Sequence, residues 1–127
     1  MKNLIPALAA AVLLCGCAAP PKEGSYRSVG MDEAVDIMEK ETGYRILDVR
    51  TPEEYLAEHI PGAINIPNET IGREEIPELP EKDQLILVYC RSGNRSKQAS
   101  QKLAALGYTN VVEFGGIYDW PGERVSG

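Results

Sequence analysis

The sequence predicts an α/β domain built on a mainly parallel sheet, and three observations carry this reading. Apolar runs alternate with segments of helical periodicity from residue 26 onward, which is the pattern of strand–helix–strand units. The run within QLILVYC, residues 84–90, is continuously apolar, as expected of a parallel strand buried on both faces. Helical segments stop at glycine or proline, at Gly43, at Pro61 and Gly62, and at Gly107, residues that end helices for reasons of backbone geometry.

Each element follows in order. YRSV, 26–29, reads as a short first strand. Residues 31–41 place Ala34, Ile37 and Met38 at helical spacing, with Gly43 as the stop. RILDV, 45–49, reads as a buried strand. TPEE, 51–54, is a helix start, with Thr51 as N-cap, Pro52 in the first helical position and Glu54 closing a capping box. That helix must be short, because Pro61 and Gly62 follow. AINIP, 63–67, is a third strand. Residues 68–83 are rich in glutamate and contain Pro77 and Pro80, so a loop with one helical turn is expected. After the strand ending at Cys90, Ala99, Leu103 and Leu106 keep helical spacing up to Gly107. NVVEF, 110–114, is the last strand, and GGIYDWPGE is a turn-rich end.

The N-terminus belongs to a different part of the protein. Lys2 precedes an uncharged apolar run from Leu4 to Leu14. A bilayer-spanning helix needs roughly 20 apolar residues, so this run fits the core of an export signal. LCGC, 14–17, resembles the lipobox of bacterial lipoproteins, which implies that Cys17 is lipidated; an ordinary cleaved signal is the other reading. The expected organisation is a signal peptide over 1–16, a tether over 17–25 and a folded domain over 26–127. The tether is small, polar and proline-bearing. The expected location is outside the cytoplasmic membrane, as an exported lipoprotein held by its lipid and facing a periplasm or the cell exterior.

Of three cysteines, Cys15 would leave with the signal and Cys17 would be blocked by lipid. Cys90 is then the single free thiol of the mature domain. The net charge of −6 argues against a nucleic-acid partner. No cluster of metal-ligand residues is present, and neither a metal nor an organic cofactor is implied.

Chemistry concentrates in VYCRSGNRS, 88–96. Cys90 stands at the carboxyl end of a strand, where ligands bind in open parallel sheets. A free thiol is mostly protonated at neutral pH, with a pKa of about 8.5. Several features would lower that value. The helix that follows offers its N-terminus, Gly93 and Asn94 can take positive φ and turn amides inward, Arg91 and Arg95 add positive charge, and Ser96 can cap the helix. Ser92 completes the loop. The competing reading is a cysteine packed as a small hydrophobe, which has no use for two arginines and a glycine. His59, the single histidine, could pair with Cys90, but it precedes a Pro-Gly turn and reads as a turn residue. Activation would then come from dipoles and arginines, in a site holding an ionisable sulfur that a substrate can reach.

LDVRTPEEYLAEHIPGAINIP together with VYCRSGNRS and GGIYDW resembles the rhodanese family of sulfurtransferases over nearly all of residues 29–123. The resemblance implies a five-stranded parallel sheet flanked by helices, and a cysteine that carries sulfur as a persulfide. It matches Cys90 to the nucleophile and Arg91, Ser92, Gly93, Asn94 and Arg95 to the rest of the loop. Asp48, Arg50 and Glu54 match structural positions, with an Arg50–Glu54 ion pair expected. Trp120 matches an aromatic of wall or core. Cysteine phosphatases have a loop one residue longer than the four residues between Cys90 and Arg95, so sulfur transfer is expected over phosphate or arsenate chemistry. The implied donor is a small anion such as thiosulfate, and the implied acceptor is a thiol or a protein. A noncatalytic persulfide carrier or docking module is the reading from another class.

Overall fold

The computed structural model describes residues 25–72 and 74–127. The expected leader, Cys17 and the tether as far as residue 24 lie outside them. The elements are β1 (Arg27–Ser28), α1 (Met31–Lys40), β2 (Arg45–Asp48), α2 (Pro52–Ala57), β3 (Ala63–Asn65), β4 (Ile86–Cys90), α3 (Asn94–Ala105) and β5 (Val111–Gly116), with single 3-10 turns at Asn68–Thr70 and Ile117–Asp119. No described helix is long and apolar enough to cross a membrane.

Local chemistry accounts for most boundaries. Thr51 accepts from the Glu54 amide while the Glu54 side chain accepts from the Thr51 amide, and Pro52 takes the first helical position of α2. Two orphan amides are thereby satisfied at once. Asp32 and Glu33 begin α1 and Lys40 ends it, matching side-chain charge to the helix dipole. One boundary differs from the sequence reading. The N-cap of α3 is Gly93, at φ +112°, with no side-chain cap. Ser96 lies inside the first turn rather than at the cap, because the left-handed glycine lets the helix begin immediately after the loop.

All pairings in the five-stranded sheet are parallel, in the order β1-β5-β4-β2-β3. From β2 the chain moves outward to β3, and from β4 it moves the other way to β5. The two connections diverge between adjacent strands and open a crevice at their carboxyl ends, the topological switch point at which α/β sheets bind ligands.

Side chains alternate strictly across the sheet. Ile86, Val88 and Cys90 join Leu47, Val49 and Val111 on the face covered by Ala99 and Leu103 of α3. Leu87 and Tyr89 join Ile46, Val112 and Phe114 on the face covered by Ala34 of α1. The segment expected as a loop contributes to this core: Ile71, Ile76 and Leu79 are buried under the α3 face. Its prolines prevent a long helix, while its apolar residues still fill space beside the sheet.

Strand β5 runs two residues past the expected NVVEF. Val88 pairs with Glu113 but Cys90 pairs with Gly116, so the register shifts by one residue. Gly115, at φ +98°, lies in this bulge. Bulges of this kind bend a strand and redirect its side chains.

Candidate active site

Cys90 ends β4, and its sulfur lies under the turn that starts α3. The Gly93 amide donates to Sγ at 2.9 Å. The thiol is within 3.5 Å of Ser96 Oγ, to which it can donate. Burial pushes the Cys90 thiol up, but hydrogen bonds from the Ser96 hydroxyl and from the amides of Ser96, Gly93 and Ser92 outweigh it, and the net displacement is down. Converging amides thus stabilise a thiolate.

The sulfur is less open than the sequence reading requires, since Cys90 is only 1% exposed. It lies one layer below a surface formed by Arg91, Ser92 and Asn94, all exposed.

The arginines behave differently from one another. Arg91 projects outward, donating from Nε to the Tyr118 hydroxyl at 2.6 Å, with its guanidinium 5.3 Å from the centre of that ring. Arg95 forms a two-pronged pair with Glu54, at 2.9 and 3.1 Å. The Arg95 hydrogen bond, together with those from Thr51 and against the cost of burial, holds the Glu54 carboxyl down at about 2. Glu54 raises the Arg95 guanidinium, with a smaller contribution from Cys90. The positive charge of Arg95 is therefore engaged chiefly by a carboxylate, and the lowering of the thiol is the work of hydrogen-bond donors.

The expected Arg50–Glu54 pair does not form. Arg50 turns inward to Asp48, with Nη2 at 2.7 Å from Oδ2 and Nε at 3.0 Å from Oδ1. It also donates to the Glu58 carbonyl. Tyr89 donates to Asp48 Oδ2 at 2.6 Å and accepts from the Ile60 amide. Asp48 is fully buried and Arg50 nearly so. A carboxylate without water needs a cation and additional donors, and Arg50 is two residues away on the same chain. Glu54, held by its capping box, faces α3 instead.

The crevice is a cleft of about 480 Å³ lined by Arg50, Glu54, Ala57 and Glu58 after β2, Arg91 after β4, and Ile117 and Tyr118 after β5. His59 does not join it as a base: its Nδ1 lies 2.8 Å from the Tyr55 carbonyl, its ring stacks on Tyr55 at 3.8 Å, and its backbone bridges Val125. Trp120 packs at the edge of the core and donates to the Glu123 carbonyl.

Three participants were not singled out from the sequence. Glu113, 1% exposed, accepts from Ser96 Oγ at 2.7 Å and from the Gly115 amide at 2.8 Å, both at Oε2. Its signal was an acid inside the apolar run NVVEF. Gly116 lies against the loop so closely that a Cβ there would overlap the Arg91 carbonyl and the Ser92 Cα. Its signal was the second glycine of GGI. Tyr118 holds Arg91, and nothing local in the sequence distinguishes it from any exposed tyrosine.

Comparison with known proteins agrees with this arrangement. The model of the rhodanese-like domain matches residues 31–123. The thiosulfate sulfurtransferase PspE of Escherichia coli is 41% identical over 81 residues, covering 64% of this chain and 78% of that protein. An adenylyltransferase and sulfurtransferase of Ogataea parapolymorpha is 34% identical over 98 residues, but the chain spans only 25% of its length. A solved structure described as a rhodanese with anions from E. coli superposes with a TM-score of 0.61 at 39% identity, covering 66% of this chain and 99% of that one. With the strand order, the loop after β4 and this match all in place, the chain belongs to the rhodanese-like domain family.

Proposed function

We propose that this protein is a sulfurtransferase of the thiosulfate type, with Cys90 as the sulfur-carrying nucleophile. The observation that carries the reading is the Gly93 amide donating to Cys90 Sγ at 2.9 Å inside the turn that follows the carboxyl end of β4. The thiosulfate sulfurtransferase name of a relative at 41% identity supports the same chemistry.

The steps are those of a ping-pong reaction. The Cys90 thiolate attacks the sulfane sulfur of thiosulfate. The S–S bond of the donor breaks, its electron pair leaves with sulfite, and Cys90 becomes a persulfide. A thiophilic acceptor (cyanide in an assay, or a thiol or protein thiol) then attacks the outer sulfur and returns the electron pair to Cys90. Arg91, exposed and lining the cleft, is the guanidinium assigned to an incoming anion, since Glu54 pairs with Arg95 while Arg91 commits only its Nε to the Tyr118 hydroxyl.

The burial of Cys90 has two consequences. Attack on a donor requires the loop of residues 91–95 to open enough for the sulfur, 1% exposed, to be reached. It also lends weight to a second reading, in which the domain carries a persulfide to a partner instead of turning over small molecules. Intact mass spectrometry after thiosulfate treatment tests the chemistry. One added sulfur atom is expected on the wild-type protein and none on Cys90→Ser; an unloaded wild type would refute the reading. Many cycles of thiocyanate formation would separate the enzyme from the carrier.

Placement of this activity at a membrane surface through a lipid on Cys17 is part of the same proposal. Its support is the LCGC pattern after the apolar N-terminal run.

A further inference from the structure

Glu113 is the one acidic side chain of β5, and it is almost fully enclosed. Its Oε2 accepts from Ser96 Oγ at 2.7 Å, while the same Ser96 oxygen is 3.5 Å from Cys90 Sγ. A serine hydroxyl has one proton to donate. The carboxylate and the sulfur therefore compete for it. The shorter, charge-assisted bond to Glu113 takes the proton while Cys90 is a thiol, and the thiol then donates to the Ser96 lone pair. An ionised sulfur reverses the need: it has no proton to give and requires a donor.

We propose that Glu113 is a positioning residue that sets the direction of the Ser96 hydroxyl, holding it away from Cys90 in the thiol form and releasing it to the sulfur on ionisation. The covalent balance is simple. The S–H bond of Cys90 breaks, its proton passes to water, and the electron pair stays on sulfur. The Ser96 O–H bond does not break; it rotates from Oε2 to Sγ. Glu113 is not left bare by this rotation. Oε2 keeps the Gly115 amide at 2.8 Å, and Oε1 keeps the Ser28 hydroxyl at 2.8 Å with the Lys97 ammonium at 3.7 Å. A carboxylate with three remaining partners can yield a fourth at small cost.

The other ionisable groups on the enclosing elements are already engaged. Arg95 is held by Glu54, Arg50 by Asp48, Tyr89 by Asp48 and Arg91 by Tyr118, while Lys97 reaches the Gly93 carbonyl as well as Glu113. Glu113 alone among these charges shares a hydroxyl with the sulfur. The proposal deepens the assignment of Cys90 as the reacting sulfur, and its readout, thiol ionisation, does not require sulfur transfer, so the two can fail separately.

The test measures Cys90 ionisation from the pH dependence of alkylation and from thiolate absorbance, in wild type, Glu113→Gln, Ser96→Ala and the double variant. Glu113→Gln should lower the ionisation midpoint by about one pH unit. Most of that change should vanish in the Ser96→Ala background, since the effect runs through the hydroxyl. An equal shift with and without Ser96 would reduce Glu113 to a distant charge and overturn the proposal, as would an unmoved or raised midpoint. Should the glutamine variant fail to fold, Glu113→Asp keeps the charge but withdraws it from Ser96; the midpoint should again fall, and an unchanged value would refute the idea.

Discussion

The carboxyl ends of β2 and β4 are neighbours in the sheet, and both carry charged residues, yet they are built to opposite purposes. At the end of β2, every polar group is closed off. Asp48 takes Arg50 and Tyr89, Arg50 takes the Glu58 carbonyl, and Tyr89 takes the Ile60 amide. At the end of β4, backbone donors converge on a single sulfur that offers little in return. A closed network fixes geometry, because breaking it leaves a buried charge unpaired. An unbalanced set of donors fixes chemistry, because it favours whichever form of the sulfur carries charge. The first end is a scaffold for the second, since Tyr89 and Cys90 are consecutive residues of one strand.

The comparison can be broken at its strongest point first. Asp48→Asn leaves Arg50 buried without its carboxylate, and a loss of about 3–5 kcal/mol in urea unfolding is expected. A loss below about 1 kcal/mol would mean that water reaches the network and that it is no scaffold.

The next effect is on the other end. Gly116→Ala places a methyl where the Arg91 carbonyl and Ser92 Cα now lie, so the loop must shift. Sulfur transfer from thiosulfate to cyanide should fall about 10²-fold, the size associated with misplacement of a reacting group by about 1 Å. Unchanged kinetics would show that the amides tolerate displacement and do not set the chemistry.

The smallest effect concerns the bridge between the two ends, Glu54 with Arg95. Glu54 sits at about 2 in the folded protein, below the ordinary carboxylate value of about 4.3. Its contribution is therefore complete above about pH 4.3 and is lost as pH falls toward 2. Both side chains are partly exposed, at 26% and 33%, so solvent screening limits the contribution to about 1 kcal/mol or less. Unfolding curves of wild type and Glu54→Gln should differ by that amount near neutrality and converge in acid. A constant difference across this range would assign the effect to the helix cap alone.

Much of the architecture was legible because its signals are local. The capping box at Thr51 and Glu54, the apolar β4 run and the glycine stop at Gly107 each depend on a few neighbouring residues, and each appears where expected. The errors came from partners distant in sequence. The resemblance implied a pair of Arg50 with Glu54, but Asp48 is fully buried and claims Arg50, while α3 brings Arg95 to Glu54. Ser96 looked like a cap, but a left-handed Gly93 ended the loop earlier and left Ser96 to face β5.

By itself the sequence determined the alternation of elements, the placing of Cys90 at a strand end and the glycine-bearing turn behind it, because hydrophobic period and backbone freedom act over a few residues. The tertiary structure alone decided how deeply the sulfur lies, which loop arginine Glu54 holds and which carboxylate shares the Ser96 proton. Those outcomes depend on the one-residue bulge in β5 and on which groups lose water together when the sheet and α3 close, and no stretch of chain encodes that on its own.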